Sequence, residues 1–376
     1  MDTLSNDNWQ KRLFRKIGRF LNILPADFQA KEKKTSAAGE ALRVSKDMLT
    51  ALGMALIFIQ FVIQAFKIPT GSMENSLLVG DFLLGLKYIY GSPVPFSYEK
   101  LPGLREPRKN DVVIFKYPGD PNYPNNDEQR YVRLVNTIVF GVLFWDKEVH
   151  AIVVHRPKDF IKRCVAVSGD TLQVTDKELF VNGISVPLAK KGLHGDPRTI
   201  PYEYDPRDFF GPYRLPVKGE VLHFEQMGLR EFFWTRSLVY QENPKAKLDA
   251  VLKVYVGDSL YNVFAQKGAL YVKYSSWDWH AMEYRLRGLA AEHPGASLRM
   301  ERHLYLDGKE ITEYKLKYNC FFMMGDNRDN SLDSRYWGYV SRKFVNAKAF
   351  IIYFSWDSFE PILTAIRFSR IGKLIF

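Results

Sequence analysis

Phe160-Ile-Lys-Arg-Cys-Val-Ala-Val-Ser-Gly-Asp170 is the stretch on which the reading of this chain turns. β-Branched and aromatic side chains fill its first part, and Ser168-Gly169-Asp170 closes it, so it predicts a strand entering a turn. With period-two alternation, Lys162 shares a face with Cys164 and Ala166, while Arg163 lies opposite with Val165 and Val167. A lysine on a small apolar face is desolvated, which disfavours its ammonium form. An amine brought down from about 10.4 toward neutrality is able to accept a hydroxyl proton. The same residues also read as a strand-edge lysine whose stem is covered and whose amine reaches water.

Outward from this stretch the pattern repeats. Asp111-Val112-Val113-Ile114-Phe115, Ala151 to Val154, and Leu179-Phe180-Val181 before Asn182-Gly183 are short strand-like runs broken by turn residues. Aromatics make up 15% of the chain, with 27 Phe, which suits pleated surfaces. The fold class is therefore mainly β. Glu178-Leu-Phe-Val-Asn-Gly-Ile184 and His303-Leu-Tyr-Leu-Asp-Gly-Lys-Glu-Ile311 each enter an Asn-Gly or Asp-Gly turn and predict two hairpins. Residues 185–302, rich in Pro, Tyr, Trp and charge, read as an inserted subdomain with a helical patch over Asp278–Ala291 and no catalytic constellation. Residues 67–184 and 303–360 then form the core. Residues 361–376 carry Arg367, Arg370 and Lys373 among isoleucines and read either as a basic amphipathic tail near a membrane or as a packed helix.

Met48 to Phe66 contains no charge, lies between Asp47 and Lys67, and as a helix would just cross a hydrocarbon core of about 30 Å. It is read as one N-terminal transmembrane helix, kept as an anchor because no small-x-small site follows it directly. Lys31, Lys33, Lys34, Arg43 and Lys46 precede it, and only Lys67 follows closely, so the basic segment 1–47 is expected in the cytoplasm and the rest outside. Within 1–47, Leu13, Ile17, Phe20, Leu21 and Leu24 repeat at helical spacing, reading either as an interfacial helix on anionic lipid or as an ordinary amphipathic helix. Thr137 to Trp145 is too short to span and reads as a buried strand or a membrane-touching loop.

A net charge of +11 permits acidic partners, but no run of like charge and no nucleic-acid-binding motif accompanies it, so nucleic acid is not expected. The two cysteines, Cys164 and Cys320, lack zinc-site spacing, and whether they bond is left to geometry. No metal or cofactor motif is readable. The seven histidines sit in no catalytic motif, and no carboxylate pair stands out.

Two further features carry chemistry. Pro69-Thr70-Gly71-Ser72-Met73 follows the apolar run and holds a serine in a turn, although such a turn is also a common way to leave a helix. Phe321 to Gly338 is an apolar strand entering a loop dense in polar side chains. There Asp333 and Arg335 are spaced to pair, and the Ser331 hydroxyl is free to orient an amine. The loop lacks the EF-hand order that ends in a distal Glu.

Together these segments resemble, in order, the signature boxes of bacterial type I signal peptidase, or leader peptidase, a serine–lysine protease family. The boxes are Ile68-Pro-Thr-Gly-Ser-Met73, Val79-Gly-Asp-Phe-Leu-Leu84, Ile161 to Asp170, and Gly325-Asp-Asn-Arg-Asp-Asn-Ser331 with Asp333-Ser334-Arg335. The resemblance implies an antiparallel β-sheet catalytic core with a variable second domain. Ser72 would be the nucleophile and Lys162 the general base, with Ser72 N–H and Thr70 as the oxyanion hole. Ser331, Asp333, Arg335 and Asp326 would orient the lysine and support the loop. Ile68, Pro69, Met73, Leu77, Phe160 and Ile161 would line shallow pockets for small side chains. Implied partners are exported preproteins with signal peptides, and membrane lipid, at the bacterial inner membrane with the catalytic part on the periplasmic side. No cofactor or metal is implied. Thr70 replaces the usual Ser, and Glu74-Asn75-Ser76-Leu77 replaces a usual Pro-Thr-Leu. A catalytically degenerate scaffold or binding module is the competing reading, opposed by the presence of both Ser72 and Lys162.

Overall fold

The structure is a computed structural model, describing residues 37–95, 99–118, 131–137, 141–147, 149–155, 159–201, 205, 207–266, 279–357, 359–361 and 364–376. The apolar runs pair into a seven-stranded sheet in the order Ile63–Lys67, Asp81–Leu86, Val345–Ser355, Val112–Lys116, Asp159–Val167, Cys320–Met324, Val340–Ser341. Every pairing in it is antiparallel. Apolar side chains cover both faces. One cluster holds Val113, Phe115, Cys164, Phe321 and Trp337, and the other holds Ile68, Met73, Leu77, Val112 and Ile114. Cys320–Met324 is accordingly buried at all its residues and shows no polar alternation.

The lysine strand, Asp159–Val167, departs from simple alternation. Lys162 lies opposite Val113, as expected for an ordinary antiparallel register. On its other edge Met323 faces Cys164 and Phe322 faces Ala166, leaving Val165 as an extra residue. This bulge interrupts the period between Cys164 and Ala166, although both lie in the cluster that holds Val113, the partner of Lys162. Both cysteines are free and buried.

The two hairpins form as read. Asn182-Gly183 and Asp307-Gly308 all take positive φ, the conformation that a two-residue primed turn demands. Helices Leu229–Glu242 and Trp279–Glu292 lie within 185–302. Strands of that segment pair beyond it: Phe210–Arg214 with Thr171–Thr175, and Val221–His223 with Glu313–Lys315. Thr137 to Trp145 straddles two strands, Tyr131–Thr137 and Gly141–Asp146.

One expectation is corrected. The apolar run 48–66 is not one helix: the helix is Ala37–Phe61, and Ile63–Lys67 is an edge strand paired with Asp81–Leu86. Among the described residues no helix is long and apolar enough to cross a membrane. The uncharged helical part, Met48 to Phe61, is only about 21 Å long at 1.5 Å per residue. The 13–24 segment lies outside the described residues. The C-terminal residues form no α-helix among those described. They make one 3-10 turn, Phe368–Arg370, and bridge from Leu374 to Ile351 and from Ile366 to Trp356. By contact density the chain divides into Met1–Ala55 and Leu56–Phe376, and all of the sheets lie in the second unit.

Candidate active site

Ser72 sits in a single 3-10 turn, Gly71–Met73, directly after the edge strand. Met73 and Leu77 anchor the turn in the apolar cluster with Ile68, and Ile161 of the lysine strand packs against the same cluster. This leaves Ser72 facing the lysine strand. Lys162 Nζ lies 2.7 Å from Ser72 Oγ and donates a second bond to Ile161 O at 3.1 Å. Both residues are buried, Lys162 at 4% exposure. Burial pushes the Lys162 amine down to about 8, helped by Arg335 and opposed by Asp333 and Asp326. The ring of Phe160, 5.4 Å from Nζ, forms part of the apolar surround. Thr70 Oγ1 stands 3.5 Å from Ser72 Oγ, and Thr70 is exposed.

The polar loop meets the Ser72 turn through its backbone, and its charges bear on Lys162. Arg335 clasps Asp333 through Nε and Nη2, each at 2.9 Å, and the Gly325 N–H donates to Asp333 at 3.0 Å. Burial alone would raise the Asp333 carboxyl, but Arg335 and the Gly325 N–H hold it below the ordinary range. The Ser331 hydroxyl is buried and makes no hydrogen bond of ordinary geometry, although it lies near enough to Asp333 to favour the ionised carboxylate. Gly325 explains the closeness. A Cβ there would fall 2.2 Å from Ser331 Oγ and 2.5 Å from Ser72 O.

Several contributors were not singled out from sequence. Arg163 makes a two-pronged pair with Asp326 at 2.8 and 2.7 Å, and Asp326 also accepts from Ser76 Oγ at 2.6 Å. An arginine facing an apolar cluster needs such a partner, which is the signal that could have revealed it. Asn327 N donates to Ser72 O at 3.1 Å, and its Nδ2 reaches Gly71 O and Glu74 Oε2, both at 3.2 Å. Glu74 and Ser76 thus tie the Ser72 turn to the polar loop. The 185–302 segment buttresses the same loop: Leu193 N donates to Asp326 O and Arg328 N to Leu193 O. Of the pocket candidates, Ile68, Met73, Leu77 and Ile161 come together, Pro69 is exposed, and Phe160 belongs to the other cluster, stacked on Tyr117 at 4.4 Å. Among the described residues no group of His, Cys, Asp or Glu is placed to hold a metal ion.

A serine hydroxyl at hydrogen-bond distance from a buried amine brought down to about 8 is an arrangement that can supply a nucleophile and its base. Residues 41–210 and 265–356 match the family described as signal peptidase, peptidase S26, and the chain belongs to that family. It is 28% identical over 342 residues to signal peptidase I of Pseudomonas fluorescens, covering 88% of this chain and 78% of that protein. Over 307 residues it is 25% identical to signal peptidase I of Aquifex aeolicus, 80% of each chain. The Haemophilus influenzae signal peptidase I is 24% identical over 353 residues, 90% of this chain and 80% of that one.

Proposed function

We propose that this protein is a signal peptidase I, a serine endopeptidase that removes N-terminal signal peptides from exported preproteins after small-x-small sites. The observation that carries the mechanism is the 2.7 Å approach of a buried Lys162 amine to Ser72 Oγ. With the amine neutral, the Ser72 hydroxyl donates to it. Oγ then attacks the scissile carbonyl as Nζ takes the proton, and the oxyanion receives hydrogen bonds from Ser72 N–H and the Thr70 hydroxyl. The Lys162 ammonium gives its proton to the departing amine, which leaves an ester on Ser72. Water attacks the ester, Nζ accepts its proton, and the signal peptide is released as Ser72 regains its hydrogen. Asp333, Asp326 and Arg335 bear on the base by charge, and Ser331 is the hydroxyl assigned to orient it. Extended substrate adds to the sheet edge with small side chains over Ile68, Met73, Leu77 and Ile161.

Membrane attachment is part of the same reading. The helix exposes Met48, Leu49, Leu52, Ile57 and Phe58. The β body exposes Phe350, Tyr353, Phe368, Ile371 and Phe376, an aromatic-rich surface suited to a lipid interface. The basic residues before the apolar run favour a cytoplasmic N-terminus in the bacterial inner membrane, with the dyad on the periplasmic side. Purified protein in detergent should cleave a preprotein at a small-x-small site, and Ser72→Ala and Lys162→Ala should each abolish cleavage. Wild-type rates in either variant would refute the dyad.

A further inference from the structure

A second buried lysine lies outside the dyad. Lys87, 1% exposed, follows strand Asp81–Leu86, and its Nζ donates to Ile59 O in the last turn of the helix. Ser92 Oγ donates to Phe61 O, Gln60 Nε2 to Pro93 O at 2.9 Å, and Lys87 N to Val62 O at 2.9 Å. The last carbonyls of a helix lack intrahelical partners and form the negative end of its dipole. This helix has no basic residue in its own last turn, so the cation comes from the β body.

The loop that supplies it is itself locked. Gly91 takes a positive φ, and a Cβ there would fall 2.1 Å from Leu101 O. Tyr90 Oη donates to Asp111 at 2.8 Å, and Asp111 O accepts from Cys164 N at 2.9 Å, two residues from Lys162. On the other side only Val62 separates the helix from the strand that leads to Ser72. From the helix end to Ser72 the described chain runs through a paired strand, and hydrogen bonds link the Lys87 loop to the strand of Lys162.

We propose that Lys87 is a positioning residue that seats the end of the helix on the catalytic body and so fixes the height of Ser72 and Lys162 over the bilayer. Resting on the signal-peptidase reading, this assigns Lys87 a part in choosing which bond of a membrane-inserted preprotein is cut. An extended chain advances about 3.3 Å per residue, so a comparable slip at this seat presents a neighbouring bond to Ser72.

Wild type and Lys87→Met are compared on a soluble signal-sequence peptide in detergent and on a preprotein inserted in phospholipid vesicles with the full-length enzyme. Ser92→Ala is carried in parallel, because it loosens the same seat without altering a buried charge. The expected result is peptide cleavage within about twofold of wild type with an unchanged pH midpoint. On the vesicle substrate the rate should fall about tenfold, or cuts should appear one or two residues from the normal site. Equal losses on both substrates would make Lys87 merely structural, and an unchanged vesicle rate and cut site would remove its role; either result overturns the proposal. Should the wild-type enzyme cleave neither substrate, the signal-peptidase reading itself fails.

Discussion

Gly325 stands so close to Ser72 that a Cβ on the glycine would lie 2.5 Å from the Ser72 carbonyl oxygen. The polar loop and the Ser72 turn therefore meet backbone to backbone. Gly325→Ala must push them apart, at a typical overpacking cost of about 1–3 kcal/mol. The expected outcome is a lower Tm and at least a tenfold loss in kcat/KM, since Ser331 and Ser72 both move. An alanine variant with wild-type stability and rate would show that the approach is slacker than described.

The Lys162 amine, brought down to about 8 by burial, should place the ascending, acid-side limb of the activity profile there. Cleavage rises with pH as the amine loses its proton and levels off above about 8. A limb that appears only near 10.4, the ordinary lysine value, would deny the burial its effect.

The same shift has a consequence for stability. Between about 8 and 10.5 the unfolded chain keeps the Lys162 proton and the folded one does not, so the contribution of this group makes stability rise with pH across that window. Below about 8 both states are protonated and the full penalty of a buried ammonium applies, on the order of 3 kcal/mol at 1.4 kcal/mol per unit. Lys162→Met should therefore be more stable than wild type at pH 6, with the gap closing toward pH 10.5. Denaturant titrations at the two pH values measure it.

Removing Arg163 strands a buried carboxylate. Arg163→Met should cost about 3–5 kcal/mol, because Asp326 is 1% exposed and loses both charged bonds. Asp326 remains hydrogen bonded to Ser76 next to the nucleophile turn, so kcat should fall as well. The double variant Arg163→Met/Asp326→Leu should recover part of the stability, and a double-mutant cycle gives the coupling.

What was legible in the sequence follows from local physics. The hairpins at Asn182-Gly183 and Asp307-Gly308 were readable because few residues tolerate positive φ at both turn positions. Ser72, Lys162 and the 325–335 loop stood out by their order and by polar density after apolar strands. The end of the helix did not, because Ile63 to Phe66 are as apolar as the turn before them and periodicity cannot separate a short buried strand from a helix. The Val165 bulge is created by the partner strand Cys320–Met324, which no local pattern reveals. Arg163 with Asp326, and Asn327 with Ser72, meet across long stretches of chain, so their pairing belongs to the tertiary fold alone.

The order of strands bears on when the enzyme becomes active. Val345–Ser355 lies between Asp81–Leu86 and Val112–Lys116, so the sheet that carries Ser72 on one side and Lys162 on the other is closed by a strand from the end of the chain. Such non-local topology is slow to nucleate and cannot form piecemeal. A chain whose two hairpins have already closed leaves Ser72 and Lys162 unbraced until Val345–Ser355 is inserted. The bracing of Ser72 against Lys162 thus waits on a strand that is far from both in sequence.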